Sequence, residues 1–166
     1  MRRLPLALWL VAAALAASCD PVHEQQIDAL GGETPGVPRG PLHRPGQPCI
    51  VCHDGAIGDP PAFSIAGTVF AYGNDATPLP DATVTITSVD GSVQTFTANA
   101  AGNFYASAND YTPKYPLHVS LTSGGSTIKM VSHVGGNGSC AFCHSDPTGP
   151  SSPGHVYFNV PNGVAP

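Results

Sequence analysis

Thr83-Val84-Thr85-Ile86-Thr87 sets two β-branched apolar side chains between three threonines. A period of two puts Val84 and Ile86 on one face and the threonines on the other, the pattern of a half-buried strand. Five further β-rich runs surround it, at residues 63–71, 93–98, 103–107, 117–123 and 127–133. Asp90-Gly91 and Gly124-Gly125 read as hairpin turns, and Pro78-Leu79-Pro80-Asp81 as a loop. Short strands at such regular spacing predict a mostly β chain, an antiparallel β-sandwich over residues 61–133. Six crossings are an even number. With short antiparallel connections they return the chain to the end where it began.

Composition points the same way. The 166 residues include 19 glycines and 18 prolines, which excludes the long uninterrupted helices of a bundle or coiled coil. There is room for one domain with a modest core. Six basic residues stand against eleven acidic ones, net −5, with no basic cluster. That excludes nucleic acid as a partner.

The N-terminus reads as an export signal. Arg2 and Arg3 precede an apolar stretch at residues 4–17, of signal-peptide length and short for a membrane span. Ala14-Leu15-Ala16 fits a small-x-small cleavage rule. Leu15-Ala16-Ala17-Ser18-Cys19 resembles a bacterial lipoprotein box, with its leucine one place further from the cysteine than usual. That resemblance implies lipidation of Cys19 and a membrane anchor. Cysteine arithmetic supports it, because the other four cysteines fall into two pairs and would leave Cys19 an odd thiol in an oxidising compartment. Residues 20–48 are punctuated by glycine and proline and read as a flexible tether, with at most a helical turn near residues 24–30.

The chemistry lies on either side of the β region. Cys49-Ile50-Val51-Cys52-His53 and Cys140-Ala141-Phe142-Cys143-His144 are both CxxCH motifs. This is the spacing of c-type haem attachment, in which two cysteine sulfurs form thioethers with the haem vinyls and the next histidine becomes the proximal iron ligand. With 7 histidines in 166 residues, a histidine directly after both CxxC pairs is not what chance supplies. Two local disulfides, or one four-cysteine zinc site, are the alternatives, and both leave His53 and His144 unexplained. His43, His133 and His155 are the candidate distal ligands. By alternation Met130 falls on the core face of its run. His118 reads as a surface residue, and His23 as a solvated one in the tether.

The β region itself resembles the carboxypeptidase regulatory-like, or transthyretin-like, family of immunoglobulin-like sandwiches. The resemblance rests on Gly67-Thr68-Val69-Phe70, on Pro78-Leu79-Pro80-Asp81-Ala82-Thr83-Val84, and on Thr97-Ala98-Asn99-Ala100-Ala101-Gly102-Asn103-Phe104. Asn109-Asp110-Tyr111-Thr112-Pro113 stands where that family has an aromatic-containing turn. The resemblance implies a rigid, non-catalytic module. No serine with a base and no carboxylate pair argues otherwise.

The organisation expected is therefore a signal peptide over 1–18, a tether over 19–48 and a first haem-attachment segment over 49–60. The sandwich follows over 61–133, then a second attachment segment and tail over 134–166. The whole resembles small bacterial dihaem c-type cytochromes. That implies two covalent haem c groups, one-electron transfer rather than catalysis, and redox partner proteins in a periplasmic or cell-surface setting. A haem sensor or small haem enzyme with one open axial site is a competing expectation, and an envelope adhesion or scaffold module is another.

Overall fold

The computed structural model describes residues 20–33, 35–56, 60–73, 75–145 and 150–158. The expected signal peptide and Cys19 lie outside them. Among the described residues no helix is long and apolar enough to cross a membrane. The chain divides after Gly32 into two units. In the first, helix α1 (Pro21–Ala29) starts with Pro21 and is capped by Asp20, whose side chain accepts from the Val22 and His23 amides at 3.1 and 3.2 Å. It buries none of its residues, so capping and local hydrogen bonds hold it.

The second unit is a mostly β, sandwich-like fold. Its six strands are β1 (Phe63–Thr68), β2 (Thr83–Thr87), β3 (Val93–Thr97), β4 (Asn103–Ser107), β5 (His118–Ser123) and β6 (Ser126–Lys129). They fall on the six runs read from the sequence. All pairings are antiparallel, in a four-stranded sheet of order β3-β2-β5-β6 and a two-stranded sheet of β1 and β4. Val84 and Ile86 are 0% and 1% exposed, as their alternation with threonine requires. They pack with Ile65, Phe104, Ala106, Leu117 and Leu121 in one core. Each such side chain taken from water contributes about 1.5–3 kcal/mol before entropy is counted.

The turns follow their residues. Gly124 and Gly125 both have positive φ, 54° and 78°, as a two-residue hairpin turn with the twist of its strands demands. The three stretches quoted for the β region meet. Val69 donates to the Gly102 carbonyl at 2.8 Å, Leu79 to the Val69 carbonyl at 3.0 Å, and Ala98 to the Ala82 carbonyl at 2.9 Å. A Cβ at Gly102 would overlap the Val69 carbonyl oxygen, so only glycine permits this approach.

Two segments differ from their sequence reading. The run expected to continue to His133 leaves the ladder after Lys129. Met130 still donates to the Val119 carbonyl, but the next bridge joins Leu117 to Val134, so Val131, Ser132 and His133 bulge out. Residues 41–46, read as part of the tether, are tied to the β module. Asn103 donates to the Pro41 and His43 carbonyls at 3.3 and 3.0 Å, and the Gly46 amide donates to the Thr68 hydroxyl at 2.8 Å. A chain of turns leaves backbone groups without internal partners, and two paired strand residues, Thr68 and Asn103, supply them.

Candidate functional site

The two CxxCH motifs take the same local form. Cys49–Cys52 is a single helical turn, α2, and Cys140–Phe142 is a 3₁₀ turn. In each, the histidine amide donates to the first cysteine carbonyl four residues back, His53 to Cys49 and His144 to Cys140, both at 2.9 Å. That bond closes one turn of backbone over each motif.

The imidazoles are also held alike. His53 Nδ1 lies 2.9 Å from the Pro61 carbonyl oxygen, and His144 Nδ1 lies 2.7 Å from that of Gly154. A carbonyl oxygen only accepts, so Nδ1 carries the proton in both rings and Nε2 presents a lone pair. Metal-ligating histidines are fixed in this way, the second nitrogen being tied to a carbonyl or carboxylate.

Both turns pack on β1. Ala66 donates to the Gly138 carbonyl at 3.0 Å, laying the residues just before Cys140 along the free edge of β1. Gly67 is the seat of Cys140, since a Cβ there would stand 2.8 Å from the cysteine Cβ and 2.9 Å from its Sγ. Phe63 donates to the His53 carbonyl at 2.7 Å from the start of the same strand.

Cys49, Cys52, Cys140 and Cys143 are all free thiols. Burial pushes the Cys140 thiol up to about 12, with the neighbouring Cys49 and Cys143 sulfurs adding to the rise. Burial likewise pushes Cys49 up to about 11. Burial thus favours the neutral thiol at these two positions.

His43 stands with the first motif. Its ring centroid is 5.9 Å from that of His53, at 65° between planes. Two imidazoles bound to opposite sides of one metal atom, each through a nitrogen about 2 Å away, have centroids about 6 Å apart. His43 Nδ1 lies 3.3 Å from Glu33 Oε1, which also meets Arg44 Nε at 3.3 Å. Burial acts to raise the Glu33 pKa, but the hydrogen bonds from His43 and Arg44 outweigh it and hold the carboxyl below its ordinary value. His53 lies tilted against Phe63 with centroids 4.4 Å apart, and Phe63 stacks on Tyr105 at 4.6 Å.

The second motif opens on a cavity of about 710 Å³, lined by Cys140, Cys143, His144, His133, His155 and Met130 together with core residues of both sheets. His155 is held by the Asp75 carbonyl at 3.0 Å from Nδ1 and lies stacked on Phe70 at 4.2 Å. Met130, expected in the core, lines this cavity half-buried. His118 is exposed on β5, and His23 lies on α1. Among the described residues, no three His, Cys, Asp or Glu groups converge as a site for a bare metal ion.

Sequence reasoning singled out neither Glu33, Gly67 nor the Pro61 and Gly154 carbonyls. A carbonyl carries no residue identity to read, and Glu33 is one acid among eleven acidic residues. Gly67, a glycine inside a strand pattern, was the one visible signal of close approach. No family model, curated protein or solved structure matches this chain.

Proposed function

We propose that this chain is a dihaem c-type cytochrome, an exported one-electron carrier of the bacterial cell envelope. The observation that carries the reading is the duplicated CxxCH turn, closed in each motif by the same histidine-to-cysteine backbone bond, with each histidine Nδ1 tied to a carbonyl. Cys49 and Cys52 would hold one haem with His53 beneath it, and Cys140 and Cys143 the other with His144. A haem iron so ligated supplies reversible one-electron chemistry.

The chain's own residues do the rest. Pro61 and Gly154 orient the proximal rings through Nδ1 and leave Nε2 basic. His43, placed by Asn103, oriented by Glu33 and 5.9 Å from His53 ring to ring, would be the second histidine available to hold the first haem. For the second iron, His133 and His155 line the cavity with His144. A second histidine beside His53 would leave the first haem no open position and so suit electron transfer rather than catalysis. Lipidation at Cys19 would fix the carrier to a membrane, where envelope redox proteins are its partners.

The test is protein matured in a haem-attachment host, studied by intact mass, pyridine haemochrome and visible spectrum. Two covalent haems with low-spin spectra are expected. Absence of haem adducts under competent maturation overturns the reading. A stable high-spin component would instead support an open-site sensor or enzyme, and unchanged partner capture by haem-free protein a scaffold.

A further inference from the structure

The two layers of the sandwich do not match. Two strands, β1 and β4, face a sheet of four, so protein covers only part of the inner face of β3-β2-β5-β6. Register carries one apolar row across that sheet, Phe96–Val84–Leu121–Ile128. At its near end Phe96 meets Phe104 of the opposite layer, with centroids 6.3 Å apart. At its far end Leu121 and Ile128 line the cavity into which the second motif opens.

We infer that the porphyrin carried by Cys140 and Cys143 is the missing part of the second layer, seated against the inner face of β5 and β6. The inference rests on the haem-attachment reading and assigns the β module its role as a haem pocket. Three observations on the cavity support it. Its wall is the core itself, including Ile65, Val84, Phe104 and Leu117. Its volume, about 710 Å³, lies in the range of about 300–1,000 Å³ usual for sites that bury a cofactor. Its surround holds four large apolar side chains that stand exposed: Ile128 at 42%, Val131 at 106%, Phe142 at 68% and Tyr157 at 41%. Apolar surface gathered in one place marks a binding face, not scattered surface residues.

The bulge at residues 131–133 belongs to this arrangement. Where the chain leaves the ladder, Val131, Ser132 and His133 line the cavity. The first motif has no comparable role, because its histidine lies tilted against Phe63, which stacks on Tyr105 of the two-stranded sheet, away from this cavity. The second haem is thus a folding component, and the first is an attachment to a module already folded.

Intact mass first establishes that two haems are present, and their absence would overturn the attachment reading itself. With both present, methyl proton NMR of the ferrous protein tests the seat. The Leu121 and Ile128 methyls move upfield of the ordinary methyl range through the porphyrin ring current. Those of Val93, on the opposite edge strand, stay in place. Ordinary positions for Leu121 and Ile128 in a two-haem protein overturn the inference while leaving the cytochrome reading intact. A second measurement compares variants. Cys140→Ala with Cys143→Ala gives a several-fold rise in binding of an apolar dye and a large fall in unfolding temperature. Cys49→Ala with Cys52→Ala gives little of either. Equal losses in the two variants also overturn it.

Discussion

The two CxxCH regions are alike in their backbone turn and in how each histidine is held, and unlike in what surrounds them. Each forms one turn, each closes it with a 2.9 Å bond from histidine to the first cysteine, and each ties its imidazole to a carbonyl. The first then meets charge: His43 is bonded to Glu33, which in turn meets Arg44. The second meets apolar core. Ferric haem carries one more positive charge than ferrous, so an anion behind a ligand favours the oxidised form and an apolar cavity the reduced one. On the proposed cytochrome reading, attachment would be a local matter, and reduction potential would be set by what the fold packs around each motif.

The contrast breaks most visibly at Gly67. Gly67→Val places side-chain atoms where Cys140 now sits, which overpacks the site at a cost of about 3 kcal/mol. Intact mass should show the second haem largely lost and the first retained. Loss of both in equal measure would show that the two regions are not independent.

A smaller effect falls on the first region alone. Asn103 is 6% exposed and links the Thr68 hydroxyl to the Pro41 and His43 carbonyls. Asn103→Ala strands these groups at a cost of about 2 kcal/mol. His43 then loses its placement, so the first haem should gain high-spin character while the second keeps its spectrum. Redox titration sharpens the same comparison. Two potentials are expected, the lower belonging to the first haem, and Glu33→Gln should raise that one by roughly tens of millivolts. A shift of the higher potential instead would reverse the assignment.

The smallest effect lies away from both regions. Asp90 accepts from Ser92 and meets Lys114 Nζ at 2.9 Å, and these bonds hold its carboxyl well below the usual carboxylate range. A carboxyl depressed in the folded state stabilises above its unfolded pKa of about 3.9, and that contribution fades as pH falls through the lower folded value. Asp90→Asn should therefore flatten the acid limb of the stability profile slightly and leave both haem spectra unchanged. The group is exposed, so the change is small.

The strands were legible because period-two alternation is local. Val84 and Ile86 point inward whichever strands come to neighbour them. Boundaries held less well where pairing decided them, and 127–133 ended early because the next bridge to β5 skips to Val134. The tether reading of residues 41–46 missed that Asn99 and Asn103 would reach their carbonyls across about sixty positions of sequence.

By itself, then, the sequence determined what lies within one turn or one strand: the places of six strands, the half-buried face of Val84 and Ile86, two glycine-bearing hairpin turns, and two CxxCH motifs. Both CxxCH turns pack on β1, the first against Phe63 at its start and the second against Gly67 near its finish. Only the tertiary structure decided that Gly67 seats Cys140, that Pro61 and Gly154 set the tautomers, and that two strands facing four leave a cavity beside the second motif. The reason is physical. Periodicity and a four-residue hydrogen bond depend on side-chain identity and short separations. Carbonyl acceptors and the matching of one layer to another depend on which distant segments come to lie together.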